Sequence, residues 1–289
     1  MPALKGFHII LDAYRIVFLL TGLFASSWVI YAQENIPVQA SYECLYEYQV
    51  TNEKGDRDTY ATILQIGSHA ARFLDYTAYQ TDSIGQSPNT SQEEVEKFQK
   101  QEQRNEFFFD QTVWQNQPTN KMSVYSVIPP DRYTYTENSH SVQWTLTEDT
   151  DTVCGYICHK ATGAYGGRMW TAWYAQDIPV PFGPWKLCGL PGLLMRATDA
   201  DGIHSFEAIA FRKGITDIPA PNTKNCIKTT RDKFVKMKNN FEKNPMGNIP
   251  FETIGRMVID KQGGGKGTIF IDGQQLRIRP NGYVPLELQ

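Results

Sequence analysis

The 289-residue sequence predicts a mainly β protein, in which an antiparallel sheet is curved into a half-barrel or a sandwich and covered by one or two helices. Several short segments alternate apolar and polar residues with the period of two that a half-buried strand requires. Turn-forming residues separate these segments, as in all-β folds. The composition, 41% hydrophobic and 20% charged, is that of a folding chain, and the formal charge of −3 gives no basic excess that would favour nucleic acid.

The first 32 residues are expected to be a signal peptide that is removed before the protein acts. The uncharged run 16–30 follows Lys5 and Arg15. Its length of about fifteen residues suits a signal-peptide core and is short of the roughly 20 that a spanning helix needs. Cleavage after Ala32 would leave residues 33–289 as a single β-rich domain without a membrane span, in the periplasm, secreted or associated with the outer membrane. The alternative is an uncleaved anchor.

The first half of the mature chain has the pattern of antiparallel hairpins. Apolar and polar residues alternate over residues 42–50, residues 52–56 form a turn, and residues 60–66 continue the β pattern. Further strands are predicted at residues 71–77, 107–113, 122–128, 133–137, 142–146 and 153–161.

A polar surface helix is expected between residues 82 and 105. Ser91 is followed three residues later by Glu94, which is the spacing of a capping box at a helix N-terminus. The apolar residues beyond this point form only a thin stripe, so the helix is predicted to lie on the surface.

A second helix is predicted over residues 229–243. Phe234, Met237 and Phe241 stand at i, i+3 and i+7, the stripe of an amphipathic helix. The segment is rich in lysine, which indicates a solvated face, with an anionic partner or headgroup as the alternative.

The segment between these helices contains the densest aromatic sequence. Residues 169–175 are apolar or aromatic at nearly every position, which predicts a strand buried on both faces. A loop rich in proline and glycine follows at residues 178–192. Residues 193–197 and 203–211 then flank the turn 199–202, whose Asp-Gly ending predicts a hairpin.

Five cysteines remain after the leader, and export to an oxidising compartment makes all of them disulfide candidates. They are Cys44, Cys154, Cys158, Cys188 and Cys226. Two of them, four residues apart in a predicted strand, are expected on one face about 13 Å apart and not bonded to each other. Which residues pair is left open.

No standard catalytic, metal or cofactor motif is present, so no catalytic residue, metal ligand or cofactor is predicted. The glycine-rich residues 263–268 do not form a phosphate loop, because Gly267 separates Lys266 from Thr268. Two alternatives stay open. A cysteine or histidine brought together by the fold could serve an extracytoplasmic hydrolase or peptidase, or Cys and His could bind a metal.

The loop and the strands before it resemble a known family. The similarity lies in residues 158–161, 167–168, 171–173, 178–179, 183–186 and above all 189–194, which read GLPGLL. They resemble the signature of the GLPGLI family, exported proteins of Bacteroidetes-type bacteria, and residues 283–288 resemble the family's usual ending. Leu194 and Cys188 depart from the usual pattern, which has Ile and more often Gly there. The family's function is uncharacterised, so the resemblance implies no catalytic residues.

The aromatic side chains beside this rigid loop are the predicted ligand-binding site, since aromatics offer large contact areas at low entropic cost. The candidates are Trp170, Trp173, Tyr174, Phe182, Trp185, Leu190, Pro191 and Gly192. The sequence therefore predicts an exported, non-catalytic binding or interaction protein of the cell envelope, whose partner is a small hydrophobic ligand such as a lipid, a peptide or an envelope protein. The alternative role for the motif is an architectural corner.

Overall fold

The computed structural model describes residues 38–86, 90–94, 109–139, 141–214, 216–244, 247, 254–259, 267–271, 274–275 and 283–288. The expected signal peptide lies outside the described residues, as do His140 and most of the predicted surface helix and of the glycine-rich segment 263–268. In the part of the chain that is described, no helix is long and apolar enough to cross a membrane.

Strands make up 51% of the structure, which confirms the prediction of a mainly β protein. The main sheet contains β1 (Val38–Thr51), β2 (Arg57–Gly67), β3 (Ala71–Asp75), β4 (Gln111–Gln115), β5 (Lys121–Ile128), β6 (Asp131–Asn138), β7 (Thr145–Val153), β8 (Tyr156–Tyr165), β9 (Arg168–Ala175), β10 (Leu193–Asp199), β11 (His204–Lys213), β12 (Asp217–Ile218) and β13 (Ile227–Lys228). A small second sheet contains β14 (Ile254–Ile259), β15 (Gly267–Ile271) and β16 (Gln274–Gln275). Two helices lie fully within the described residues, α1 (Tyr76–Gln86) and α2 (Arg231–Lys243), and residues 92–94 are also helical.

The main sheet is open, and its strand order is β13-β6-β5-β4-β3-β2-β1-β11-β10-β9-β8-β7, with β12 beside β1. All pairs are antiparallel except β13 with β6. The long strand β1 joins the two halves of the sheet, because it pairs with β2 on one side and with β11 on the other.

The two ends of this sheet curl toward each other. β6 and β8 are nine positions apart in the strand order, which would separate them by about 43 Å in a flat sheet. Nevertheless, the hydroxyl of Tyr165 in β8 donates a hydrogen bond of 2.7 Å to Glu137 in β6. We call the region where these ends meet, between β6 and the β8–β9 turn, the seam. Side chains, and not a ladder of backbone hydrogen bonds between β6 and β8, connect the two sides of the seam.

Several local predictions are confirmed. Ser91 and Glu94 form the expected capping box, in which each residue's backbone N–H donates to the side chain of the other. In α2, Phe234 and Phe241 are buried and Met237 is partly buried against the core. The hairpin β10–β11 turns at residues 199–202, where the N–H of Gly202 donates to the carbonyl of Asp199.

Two strand predictions, at residues 142–146 and 153–161, are wrong. The predicted strand 153–161 is interrupted, because Cys154 and Gly155 both have positive φ and form a two-residue turn between β7 and β8. Positive φ at both central residues is the geometry of a type I′ hairpin turn. Cys154 therefore lies on a turn and does not share a strand face with Cys158. The predicted strand 142–146 is mainly an approach to β7, which begins at Thr145.

The strand predicted at residues 169–175 exists as β9, but only one of its faces is fully buried. Trp170, Ala172 and Tyr174 point to the face that carries the main core, whereas Met169 is largely exposed and Trp173 is partly exposed. We call the first side the covered face and the second the outer face. The loop 176–192 and α2 pack against the covered face, and their apolar side chains belong to one large core cluster.

Candidate functional site

The loop 176–192 between β9 and β10, which carries most of the GLPGLL sequence, runs across the covered face. We call it the covered-face loop. The side-chain amide of Gln115 in β4 donates to the carbonyls of Gly183 and Trp185, at 2.6 and 2.8 Å. The indole N–H of Trp185 donates to Gln111 of the same strand at 2.8 Å. Because β4 lies six positions from β9 in the strand order, the loop connects strands that are distant within the sheet.

Gly192 sets how closely this loop approaches β9. A Cβ atom at this position would lie 2.2 Å from the carbonyl oxygen of Ala175. We therefore expect Gly192→Ala to lower the free energy of unfolding by about 3 kcal/mol, because the backbone would have to move to relieve the overlap. The neighbouring exposed Pro191→Ala is the control and should cost less than about 1 kcal/mol. Urea denaturation followed by circular dichroism measures both, and equal losses would contradict the steric argument.

The predicted ligand-binding residues do not line one groove, because the sheet separates them. Trp170 and Trp185 are in the core of the covered face, with ring centroids 6.1 Å apart. Trp173 lies on the outer face, where it packs between the charged ends of Lys160 and Arg196, at 5.9 and 5.1 Å from its ring centroid. Successive strand residues face opposite sides of a sheet, so Trp173 cannot join Trp170.

The remaining candidates are also mostly part of the core. Tyr174, Phe182, Leu190 and Gly192 are buried, and Pro191 is exposed. These side chains hold the loop on the covered face. Whether any of them contacts a ligand stays a prediction.

A buried lysine lies at the centre of the seam. Lys186 is completely buried, and its ammonium group lies 3.0 Å from Glu137 and 2.7 Å from Glu287. The same group donates a hydrogen bond of 2.7 Å to the hydroxyl of Tyr135. Arg231, at the start of α2, lies 2.6 Å from Glu287 and 3.5 Å from Glu137. We call Glu137, Lys186, Arg231 and Glu287 the seam cluster. Its two cations balance its two carboxylates.

The seam cluster keeps Lys186 charged. Burial by itself lowers the pKa of a lysine, but the hydroxyls of Tyr135 and Tyr165 and the carboxylates of Glu287 and Glu137 raise the pKa of Lys186 well above its ordinary value. A nucleophilic lysine must lose its proton. Lys186 therefore serves as a fixed positive charge and not as a nucleophile.

The segment 283–288 enters the seam as an irregular chain with a bend at Leu286. The guanidinium of Arg168 donates to the carbonyls of Pro285 and Leu286, at 2.5 and 3.1 Å. A salt bridge of 2.7 Å to Asp199 orients Arg168, and both side chains are buried. The hairpin turn 199–202 therefore contributes Asp199 as the partner of an arginine.

An open cleft of about 1300 Å³ lies beside this segment. Its walls come from β6, from the β8–β9 turn at Gly166 and Gly167, from one face of α2, and from Leu288. Tyr165, Arg168 and Arg231 form part of the lining, so the cleft opens directly onto the groups that close the seam. Polar and apolar groups line it about equally, which suits a ligand or partner of mixed polarity.

The five cysteines are free thiols in this structure, and the disulfide pairing predicted for them stays a prediction. Burial raises the pKa of Cys44 and of Cys188 to about 12 and that of Cys158 to about 11. Burial also raises the pKa of Cys226. Because the thiolate is the reactive form, these four thiols are poor nucleophiles at neutral pH.

Each histidine of the described chain contacts a neighbouring side chain. His204 is buried, and its Nδ1 lies 2.8 Å from the hydroxyl of Tyr48. His159 packs against Tyr174, and His69 contacts the hydroxyl of Ser68. Within the residues that the structure describes, no three His, Cys, Asp or Glu side chains are grouped so that they could hold a metal ion.

Sequence reasoning missed the seam cluster. Lys186 was visible as a lone lysine among Trp185, Leu187 and other apolar residues of the loop, and a charge in such surroundings indicates a buried ion pair. Its partners could not be found in the same way, because Glu137 and Glu287 lie far from it in the chain.

Fold and site together define a mainly β protein with an open, curled sheet, whose ends meet around a buried charge cluster beside a cleft. The family described as "Protein of unknown function (Porph_ging)" matches residues 165–196, a stretch that includes β9, the covered-face loop and Lys186. No curated protein is significantly similar to the chain in sequence.

Three of the solved structures that resemble the chain do so at low identity. A structure of PNGF-II is 18% identical, with a TM-score of 0.46 over 68% of this chain and 33% of that one, so the chain spans about a third of that protein's length. An uncharacterized conserved protein from Thermus thermophilus is 9% identical over 66% of this chain and 91% of that one, with a TM-score of 0.31. A LolA superfamily protein from Nitrosomonas europaea is 8% identical, over 63% and 88% of the two chains, with a TM-score of 0.26. Likenesses at this level assign no function.

Proposed function

We propose that this chain is an exported, non-catalytic binding protein of the cell envelope, and that its ligand or partner occupies the cleft at the seam. The observation that carries the proposal is the cleft itself. It is large enough for a small molecule or a short peptide, and β6, the β8–β9 turn, α2 and Leu288 form its walls.

The covered face is a weaker candidate for the ligand site. Aromatic side chains fill it, and the loop 176–192 seals it through hydrogen bonds from Gln115. A lipid or peptide could enter this face only if the loop left the core. The cleft needs no such rearrangement, so we place the ligand there.

We further propose that the chain is a GLPGLI-type protein. The matched residues 165–196 contain the GLPGLL sequence, and the covered-face loop gives that sequence a structural role. Export and cleavage after Ala32 belong to the same proposal and are supported by the charged and apolar pattern of residues 1–32.

Native mass spectrometry of the protein purified from its host's envelope fraction tests this function. We expect the wild-type protein to carry an additional non-covalent mass. The variant Ala164→Trp fills the cleft from β8 and should lose that mass, since a bulky side chain excludes the ligand. The control Ile157→Trp places the same side chain at an exposed position of β8 outside the cleft and should retain it.

Two results would overturn the proposal. One is a wild-type protein that carries only its polypeptide mass, and the other is an added mass that Ala164→Trp retains as fully as Ile157→Trp does. The polypeptide mass also reports on export, because cleavage after Ala32 predicts the mass of residues 33–289.

A further inference from the structure

The segment 283–288 is bound as a peptide ligand is bound. Its described residues belong to no strand or helix. Three consecutive carbonyls accept hydrogen bonds from side chains of the body: Arg168 donates to Pro285 and Leu286, and the amide of Asn239 donates to Glu287 at 3.1 Å. The N–H of Leu288 donates to the carbonyl of Gly166 at 2.8 Å. Hydrogen bonds to main-chain groups are one way in which proteins recognise peptides, because every peptide has such groups.

Two side chains of the segment add sequence specificity. The carboxylate of Glu287 is buried between Lys186 and Arg231, at 2.7 and 2.6 Å. Leu286 is buried in the core cluster. Leu288 is about half exposed and lines the cleft. The site therefore selects a leucine and a glutamate in sequence and leaves the next position at the mouth of the cleft.

The β8–β9 turn is shaped for the close approach of this segment. Gly166 has a φ of 64°, and a Cβ atom there would lie 3.3 Å from the side chain of Glu287. Glycine avoids both the strain of a positive φ and the crowding against the bound glutamate. The turn, Arg168 and α2 thus form a groove that accommodates the segment 283–288.

We propose that Arg168, Lys186, Arg231 and Asn239 form a recognition site for a polypeptide segment that carries a leucine followed by a glutamate, and that residues 283–288 occupy it as a replaceable ligand. This inference rests on the proposed binding function and names the class of partner as a peptide. The segment 283–288, which we call the cis segment, competes with any partner. Because it belongs to the same chain as the site, it has a high effective concentration there. A partner binds when it offers the same Leu-Glu chemistry and additional contacts in the cleft.

Fluorescence anisotropy with a labelled synthetic peptide of residues 281–288 tests the proposal. The full-length variant Leu286→Ala/Glu287→Ala has a weakened cis segment, and we expect it to bind the peptide at least about tenfold more tightly than the wild-type chain does. A peptide with glutamine in place of the glutamate should bind at least about tenfold more weakly, because the charge-assisted contacts to Lys186 and Arg231 are lost.

Matched variants locate the binding. In the same background, Asn239→Ala should weaken the peptide several-fold, since it removes a donor to the bound main chain. Lys233→Ala, an exposed change on the same helix, should not. If the double variant lacks a cooperative unfolding transition, the single variant Glu287→Gln takes its place, because it keeps the shape of the side chain.

Absence of saturable binding to the folded variant, or equal binding of the glutamate and glutamine peptides, would overturn the proposal. Its failure is distinguishable from failure of the proposed function. An envelope ligand retained by the wild-type protein and lost in Ala164→Trp would leave the binding function standing and exclude only the peptide as its ligand.

Discussion

Replacing Lys186 by methionine is expected to lower the free energy of unfolding by about 3–5 kcal/mol. The change keeps most of the side-chain volume but removes the charge between two buried carboxylates, Glu137 and Glu287. Arg231 would then be the one cation of the seam cluster left to neutralise the two carboxylates. Removal of one partner from a buried ionic network is costly because the other partners stay desolvated without their counter-charge. Urea denaturation followed by circular dichroism measures the loss.

A second lysine provides the control for this prediction. Lys160 lies on the outer face and pairs with Asp149 at 2.8 Å, but both side chains are substantially exposed. Lys160→Met should change stability by less than about 1 kcal/mol, because water solvates the unpaired carboxylate. Adding Glu137→Gln and Glu287→Gln to Lys186→Met should recover part of the loss. A Lys186→Met variant as stable as the wild type would show that the seam cluster does not hold the sheet ends together.

The second large effect is expected at Trp185. Its indole is completely buried, packs against Tyr165 and Trp170, and donates a hydrogen bond to Gln111. Trp185→Ala should lower the free energy of unfolding by about 3–5 kcal/mol, because it leaves a large cavity in the core and an unpaired acceptor. Thermal unfolding followed by near- and far-UV circular dichroism reports the change.

Trp173→Ala is the matched comparison, since it deletes the same side chain from the outer face. That indole is partly exposed and interacts with Lys160 and Arg196, contacts that contribute about 0.5–1 kcal/mol each. Its removal should therefore cost clearly less than that of Trp185. Equal costs at the two positions would contradict the placement of Trp185 in the core of the covered face and of Trp173 on the outer face.

The contrast between these tryptophans shows why the binding site could not be located from the sequence. Trp170, Trp173 and Trp185 are close in sequence and are all aromatic, so they predict one aromatic surface. Strand alternation places Trp173 on the other face, and the loop folds Trp185 into the core. The aromatic residues are therefore mainly structural, and the cleft is lined by a mixture of polar and apolar groups with no recognisable motif.

The sequence by itself determined the features that depend on neighbouring residues. Period-two alternation identified β1, β-like patterns between turn residues identified β2 and β5, the Asp-Gly turn identified the β10–β11 hairpin, and the spacing of Phe234 and Phe241 identified α2. These patterns are local, since the geometry of a strand, a turn or a helix fixes them within a few residues.

Only the tertiary structure decided how the ends of the sheet meet. Lys186 finds Tyr135 51 residues before it and Glu287 101 residues after it. Such pairings depend on the curl of the sheet and on the path of the loop across its covered face, which no local pattern contains. The seam cluster, the cleft and the bound segment 283–288 follow from that curl, because it brings β6, the β8–β9 turn and α2 together.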